Sequence, residues 1–160
     1  MTVSLKRGAP ARADEIRRLE SEFGMPISES FRRFLSRNNG AKPQDNVFTI
    51  SKGNSSGVDR FIPVKKILAE RENIENIPSK AYPIAWAEGG NYVFIDEGRR
   101  GAVFFWDHER PEDIAKLSRD FGEFLASLEP FDTRSVELDP KDVESVWVDP
   151  SLLKQLKKQR

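Results

Sequence analysis

Asp107-His108-Glu109 is the one tract of this chain where neighbouring side chains have the chemistry of a metal or acid–base site. In a strand these side chains alternate, so Asp107 and Glu109 would share a face and His108 would point the other way. The sequence holds one histidine and no cysteine, which excludes multi-histidine and thiolate zinc sites, structural disulfides and cysteine nucleophiles. A Ser-His-Asp arrangement would have to pair His108 with a serine that the sequence does not identify. Gly53-Asn54-Ser55-Ser56-Gly57 could bend around an anion, but it lacks the adjoining Lys-Ser or Lys-Thr of a phosphate loop. It reads as a mobile hairpin tip, and Asp107-His108-Glu109 as a strand end whose polar groups satisfy a turn. No catalytic, cofactor-binding or metal-binding residue is assigned. The chain reads as a binder, not an enzyme.

The elements that would position such groups are better defined. Residues 84–95 and 102–109 contain three runs rich in aromatic and β-branched side chains, broken by Gly89-Gly90-Asn91 and by residues 96–101. This pattern predicts a three-strand antiparallel meander over residues 83–107. Tyr92, Phe94, Phe104 and Trp106 alternate within it. The local cations, Arg99 and Arg100, fall in the turn. The four rings therefore read as one sheet face buried beneath helices, not as a platform for stacking nucleobases.

Upstream, Ile16, Leu19 and Phe23 form the apolar stripe of a helix over residues 14–23, stopped by Gly24 and Pro26. Ser28 then reads as the N-cap of a second helix with Phe31, Phe34 and Leu35 on its apolar face. Val47-Phe48-Thr49-Ile50 is a short strand, and Phe61-Ile62 resumes extended structure. Pro63 is compatible with the first turn of a helix through Arg71, with Ile74 and Ile77 continuing its apolar face and Pro78 ending it. A last helix over residues 118–128 carries Phe121, Phe124, Leu125 and Leu128 on one stripe. Beyond Pro130, the patches Val136-Glu137-Leu138 and Val146-Trp147-Val148 suggest an extended arm that docks back. It would end in a short helix bearing Leu152, Leu153 and Leu156.

A chain of 160 residues suffices for one domain with a terminal extension, and needs neither disulfide nor metal to fold. No signal-peptide core and no membrane-length apolar run is present, so a soluble cytoplasmic protein is expected. Basic and acidic residues balance at 26 each. Whole-chain charge therefore argues neither for nor against nucleic acid. Residues 129–149, however, carry seven acidic side chains against Arg134 and Lys141. Such a block repels phosphates and attracts basic protein surfaces, or serves only as a solvated connector.

The order of these motifs resembles a known family. Ile16, Leu19-Glu20, Phe23-Gly24-Met25-Pro26, Ser30-Phe31-Arg32-Arg33-Phe34-Leu35 and Asn38-Asn39-Gly40 come first. Tyr82-Pro83-Ile84-Ala85, Gly90-Asn91, Gly101-Ala102-Val103-Phe104-Phe105-Trp106-Asp107-His108-Glu109 and Phe121-Gly122-Glu123-Phe124-Leu125 follow. Over residues 13–128 the chain is similar to the SUKH superfamily, in the branch named after the yeast Smi/Knr cell-wall synthesis regulators. The resemblance implies an α+β fold with a mixed, mainly antiparallel sheet backed by helices. It divides the chain into a SUKH-like domain, 1–128, and a charged C-terminal extension, 129–160. Most bacterial members resemble cytoplasmic immunity proteins that bind and neutralise a cognate toxin domain, often a nuclease, of polymorphic or contact-dependent inhibition systems. The matched residues are scaffold positions, so none of them transfers a binding role. Charge suggests Asp96, Glu97, Asp107 and Glu109 around the meander, or Asp139, Asp142 and Glu144 in the extension, as contacts to a basic toxin groove. Two alternatives stay open. One is a regulatory or scaffolding module; the other is a single-strand nucleic-acid binder using the aromatic face and the basic N-terminal helices.

Overall fold

The computed structural model describes residues 4–6 and 8–132. Helix α1, Ala13–Phe23, buries Ile16 and Leu19 on the expected stripe. It begins with the Glu15 carboxylate accepting the Arg12 backbone N–H at 3.0 Å. Gly24 ends it at φ 86°, its N–H returning to the Glu20 carbonyl at 2.8 Å. A Cβ would oppose that left-handed conformation. Helix α2, Glu29–Asn38, buries Phe31, Phe34 and Leu35. Glu20 joins the two helices by accepting from the Ile27 N–H at 3.2 Å and from the Arg32 guanidinium.

Two short strands, β1 (Leu5–Lys6) and β2 (Lys42–Pro43), pair antiparallel outside the main sheet. The main sheet is six-stranded and runs in sequence order: β3 (Val47–Ser51), β4 (Asn54–Phe61), β5 (Ala81–Ala87), β6 (Asn91–Asp96), β7 (Ala102–Asp107) and β8 (Arg110–Ser118). Every described pairing is antiparallel, so the parallel component of the expected mixed sheet is not found. The connections explain this: most are tight turns, and a parallel partner needs a long crossover. A 3₁₀ turn, Val64–Lys66, leads into α3, Ile67–Arg71, which packs beside β5 and ends short of Ile74, Ile77 and the expected stop at Pro78. Helix α4, Phe121–Ser127, closes the described domain; its Asp120 cap accepts the Glu123 N–H at 2.8 Å.

Three expectations change. Asn54-Ser55-Ser56-Gly57 is the start of β4, paired in turn with Ser51, Thr49, Phe48 and Val47, and only Lys52-Gly53 turns. Ladder hydrogen bonds to β3 outweigh the poor strand propensity of this tract. Strand β8 had no strong sequence signal, because its charges and Pro111 suit an edge strand more than a core one. The third change concerns the sheet faces. Tyr82, Ile95 and Val103 share one face through their register, as do Val93 and Phe105. Tyr82 meets Phe31 of α2, and Phe105 meets Phe48, which also meets Phe124 of α4. Tyr92, Phe94, Phe104 and Trp106 therefore occupy the opposite face, away from α2 and α4. Alternation separates two faces but does not say which one receives the helices.

An aromatic cluster holds the helices to the sheet. Phe121 lies 5.1 Å from both Phe31 and Phe34, and Phe34 lies 4.7 Å from Phe61. Edge-on pairs of this kind add about 0.5–1.5 kcal/mol each beyond burial. The arm and terminal helix expected beyond Pro130 lie, from residue 133 on, outside the described residues. Phe31→Ala should cost about 3–5 kcal/mol, whereas Phe131→Ala, at a ring 62% exposed, should stay within about 0.5 kcal/mol. Urea midpoints at an unchanged m-value measure both.

Candidate functional site

Each candidate carboxylate sits at one end of the meander, and the two ends differ. At one end the β5–β6 and β7–β8 turns lie side by side. His108 and Glu109 form the two-residue turn between β7 and β8, so these side chains are not strand residues. The Asp107 carboxylate accepts the Glu109 N–H at 2.9 Å, a local turn lock. Asn91 Oδ1 accepts the His108 N–H at 3.0 Å and lies 2.8 Å from the imidazole Nδ1. One turn thereby braces the other. Glu88 completes this end, with an oxygen 2.8 Å from where a Cβ on Gly57 would stand. Asp107 is half-buried, while Glu88, His108, Glu109, Glu112 and Asp113 are exposed. Between residues 107 and 113 four carboxylates surround one cation, Arg110. Glu88, Glu112 and Asp113 were not among the expected contacts; Glu112 and Asp113 follow Glu109 at the start of β8, and Glu88 stands in the adjoining β5–β6 turn.

The other end turns its acids inward. Asp96, 3% exposed, accepts the Gly98 N–H at 2.9 Å and faces Arg99 at 3.7 Å. The exposure expected for Asp96 is therefore not found, because its carboxylate shapes the β6–β7 turn. Glu97, half-buried, takes three hydrogen bonds of 2.6 Å, from the Ser28 N–H, the Ser28 hydroxyl and the Tyr82 hydroxyl. Ser28 does stand at the N-cap of α2, but its hydroxyl binds Glu97 and does not cap the helix. Burial, reinforced by the Glu97 carboxylate, pushes the Tyr82 phenol far above its ordinary range. Gly101, at φ 76°, seals the junction, since a Cβ there would come within 2.9 Å of the Ser28 hydroxyl. Glu97 fastens α2 to the sheet, and Asp96 holds the turn that carries it. Asp139, Asp142 and Glu144 lie outside the described residues.

The sheet face turned away from α2 and α4 carries a third constellation that the sequence reading missed. The Glu70 carboxylate accepts from the Tyr92 hydroxyl at 2.6 Å and from the Trp86 indole N–H at 2.9 Å, with the Asn73 amide at 3.4 Å. Lys66 lies over the Trp86 ring at 5.8 Å. Farther along, Phe94 and Phe104 stack at 5.4 Å, and Arg99 covers Phe104 at 5.1 Å. Trp106 is 4% exposed, and its indole nitrogen has no hydrogen-bond partner. Leaving such a donor unsatisfied costs about 1–3 kcal/mol.

Burial raises the Glu70 pKa, but the bonds from Tyr92, Trp86 and Asn73 and the charge of Lys66 outweigh it, holding the carboxyl below the ordinary glutamate range. Burial first, and the Glu70 bond second, push the Tyr92 phenol upward. The arrangement is a stabilising lock and brings no nucleophile beside a base.

Gly53-Asn54-Ser55-Ser56-Gly57 has the spacing of a nucleophile elbow, yet Ser55 sits in an exposed hairpin, paired with Thr49, and not at a strand-to-helix turn. Among the described residues no three His, Cys, Asp or Glu side chains gather as a metal-binding group, and no helix is long and apolar enough to cross a membrane. A groove of about 400 Å³ between α1 and α3 is lined by both charge signs over Leu19, Val64 and Leu68. Lys65 and Glu15 pair within it at 3.2 Å.

Comparison with known proteins adds one match. The model of the SMI1 / KNR4 family (SUKH-1) matches residues 10–127. No curated protein matches the chain.

The Glu70 lock sets a pH dependence with a definite sign. A lowered native pKa contributes stability above the unfolded carboxylate pKa, and that contribution is lost as pH falls through the native value. Glu70→Gln should therefore flatten the loss of stability on acidification below the ordinary glutamate range, measured by urea unfolding across pH. A slope identical to that of the unsubstituted chain would exclude the lock.

Proposed function

Because this chain belongs to the SMI1 / KNR4 family (SUKH-1), we propose that it is an immunity protein that binds and neutralises a cognate toxin domain. The observation that supports this most is the contrast between the two ends of the meander. Asp96, Glu97 and Glu70 are committed to internal hydrogen bonds, while Glu88 and Glu109 on the braced turns, and Glu112 and Asp113 at the start of β8, are exposed to solvent. A rigid acidic rim suits a basic groove, because little side-chain order is lost on docking.

A nuclease groove is basic since it must hold phosphates, and carboxylates placed there mimic the substrate charge. The mechanism is then occlusion: the acidic turns accelerate encounter, and the bound domain blocks the substrate from the catalytic groups. On this reading Asp107 and Glu109 contact the toxin, with Asp107 also holding the turn. Binding requires no turnover, so the protein acts as a stoichiometric inhibitor. Its place of action is the cytoplasm of the cell that makes the toxin.

A regulatory scaffold would use the same scaffold without a toxin. The reading as a single-strand binder loses its stacking platform, since Tyr92, Phe94, Phe104 and Trp106 are each at most 7% exposed.

Co-expression with the toxin domain encoded beside this gene should rescue growth. The double substitution Glu109→Lys and Glu112→Lys should weaken toxin binding about tenfold, about 1.4 kcal/mol, mainly through slower association that salt no longer modulates. Surface-plasmon kinetics at two ionic strengths measure this. Absence of binding and of rescue by the unsubstituted chain would reject the immunity reading.

A further inference from the structure

We propose that β8 is a self-association edge: two copies of this chain pair β8 against β8, antiparallel, about a two-fold axis at Ile114. The sheet order ends at β8, so among the described residues its outer side carries no ladder. Strand β3 comes near β8, with Phe48 5.7 Å from Phe105 on the helix-bearing face, but the two strands are not hydrogen-bonded neighbours. A free strand edge offers a row of backbone donors and acceptors to a second strand.

The charges along β8 select that second strand. Edge charges exclude most partners, because like charges directly opposite each other repel. They admit a strand whose charges run in the reverse order. β8 and its flanks carry acids before Ile114, at Glu109, Glu112 and Asp113, and bases after it, at Lys116 and Arg119. Turned end for end, the same segment is its own complement. With Ile114 facing Ile114, Glu112 stands opposite Lys116 and Glu109 opposite Arg119. The two-fold axis makes each of these pairs twice. Arg110 falls opposite Ser118 and meets no like charge.

The side chains concerned are available. Glu112, Asp113 and Lys116 are exposed, and among the described residues their side chains make no hydrogen bond or ion pair. Arg119 touches Glu123 at 3.2 Å, yet its side chain is 82% exposed. Between the charges, Ile114, Ala115 and Leu117 are only half-buried against the core. A second copy completes that burial. The shared ladder is short, Glu112 to Lys116, because Pro111 has no N–H to give and the register against β7 shifts between Asp107 and Phe105.

This pairing goes beyond the toxin reading and does not rest on it. Glu109 and Glu112 serve in both, so dimer and toxin complex would exclude each other.

Sedimentation of the full-length chain should show a monomer–dimer equilibrium. Glu112→Lys and Lys116→Glu should each weaken it about tenfold, since either change sets two like-charge pairs in the homodimer. An equimolar mixture of the two variants should restore the dimer, because every pair is then opposite in sign again. The chain has no cysteine, so Ile114→Cys gives a second readout. Facing residues of an antiparallel pair stand about 4.5–5.5 Å apart at Cα, within disulfide reach. Mild oxidation should link this variant into dimers and leave Arg33→Cys, exposed on α2, unlinked. A monomer at every concentration would overturn the proposal. So would a dimer that both reversals leave intact, or one that the mixture fails to restore, since the contact would then lie elsewhere. Oligomers larger than two would do the same, because two-fold pairing closes at two copies. Failure to protect against the toxin in a chain that still dimerises would reject the immunity reading alone.

Discussion

The meander imposes the constraint on which the rest of the molecule depends: both of its faces are apolar. Val93, Ile95, Val103 and Phe105 line one side, and Tyr92, Phe94, Phe104 and Trp106 line the other, all at most 7% exposed. Half-solvated antiparallel sheets show strict alternation of apolar and polar residues. Here Tyr92-Val93-Phe94-Ile95 and Ala102-Val103-Phe104-Phe105-Trp106 are continuous apolar runs. A sheet of this composition cannot stand with one side wet. The α1–α2 hairpin and α4 cover one face through Phe31, Phe34, Phe121 and Phe124. The other is occupied at one margin by the Glu70 lock and at the other by Arg99.

Polar side chains then divide between two tasks. Inside, carboxylates join elements that hydrophobic contact alone would leave free to slide. Glu97 ties the start of α2 to Tyr82, Glu20 ties α1 to α2, and Glu70 ties α3 to β5 and β6. Each is satisfied by several donors, the condition under which a buried acid stabilises more than it costs. Outside, acids on the β5–β6 and β7–β8 turns are positioned by local bonds but keep their own oxygens toward solvent, apart from the Asp107 lock. The scaffold thus separates the acids that build it from those left exposed to solvent.

Membership in the SMI1 / KNR4 family accounts for the scaffold half of this division. The motifs that carry the resemblance, such as Tyr82-Pro83-Ile84-Ala85 and Phe121-Gly122-Glu123-Phe124-Leu125, fall in the sheet and in the aromatic cluster beneath it. They report how the domain is built.

Local signals in the sequence settled much of the architecture. The stripe Ile16, Leu19 with Gly24, the Phe31-Phe34-Leu35 face and the three apolar runs of the meander appear where periodicity and turn residues placed them. So does the turn at His108-Glu109, where polar groups satisfy the backbone. These features depend on neighbours a few residues away, which is why they could be read directly. Tertiary structure alone decided which sheet face meets the helices, that Asp96 is buried while Glu109 is not, and that Glu70 meets Tyr92 across 22 residues. It also drew Asn54–Gly57 into a strand against their propensity. The physical reason is common to all four. Each depends on side chains or ladder bonds brought together by the closing of the sheet, and no spacing along the chain encodes that closure.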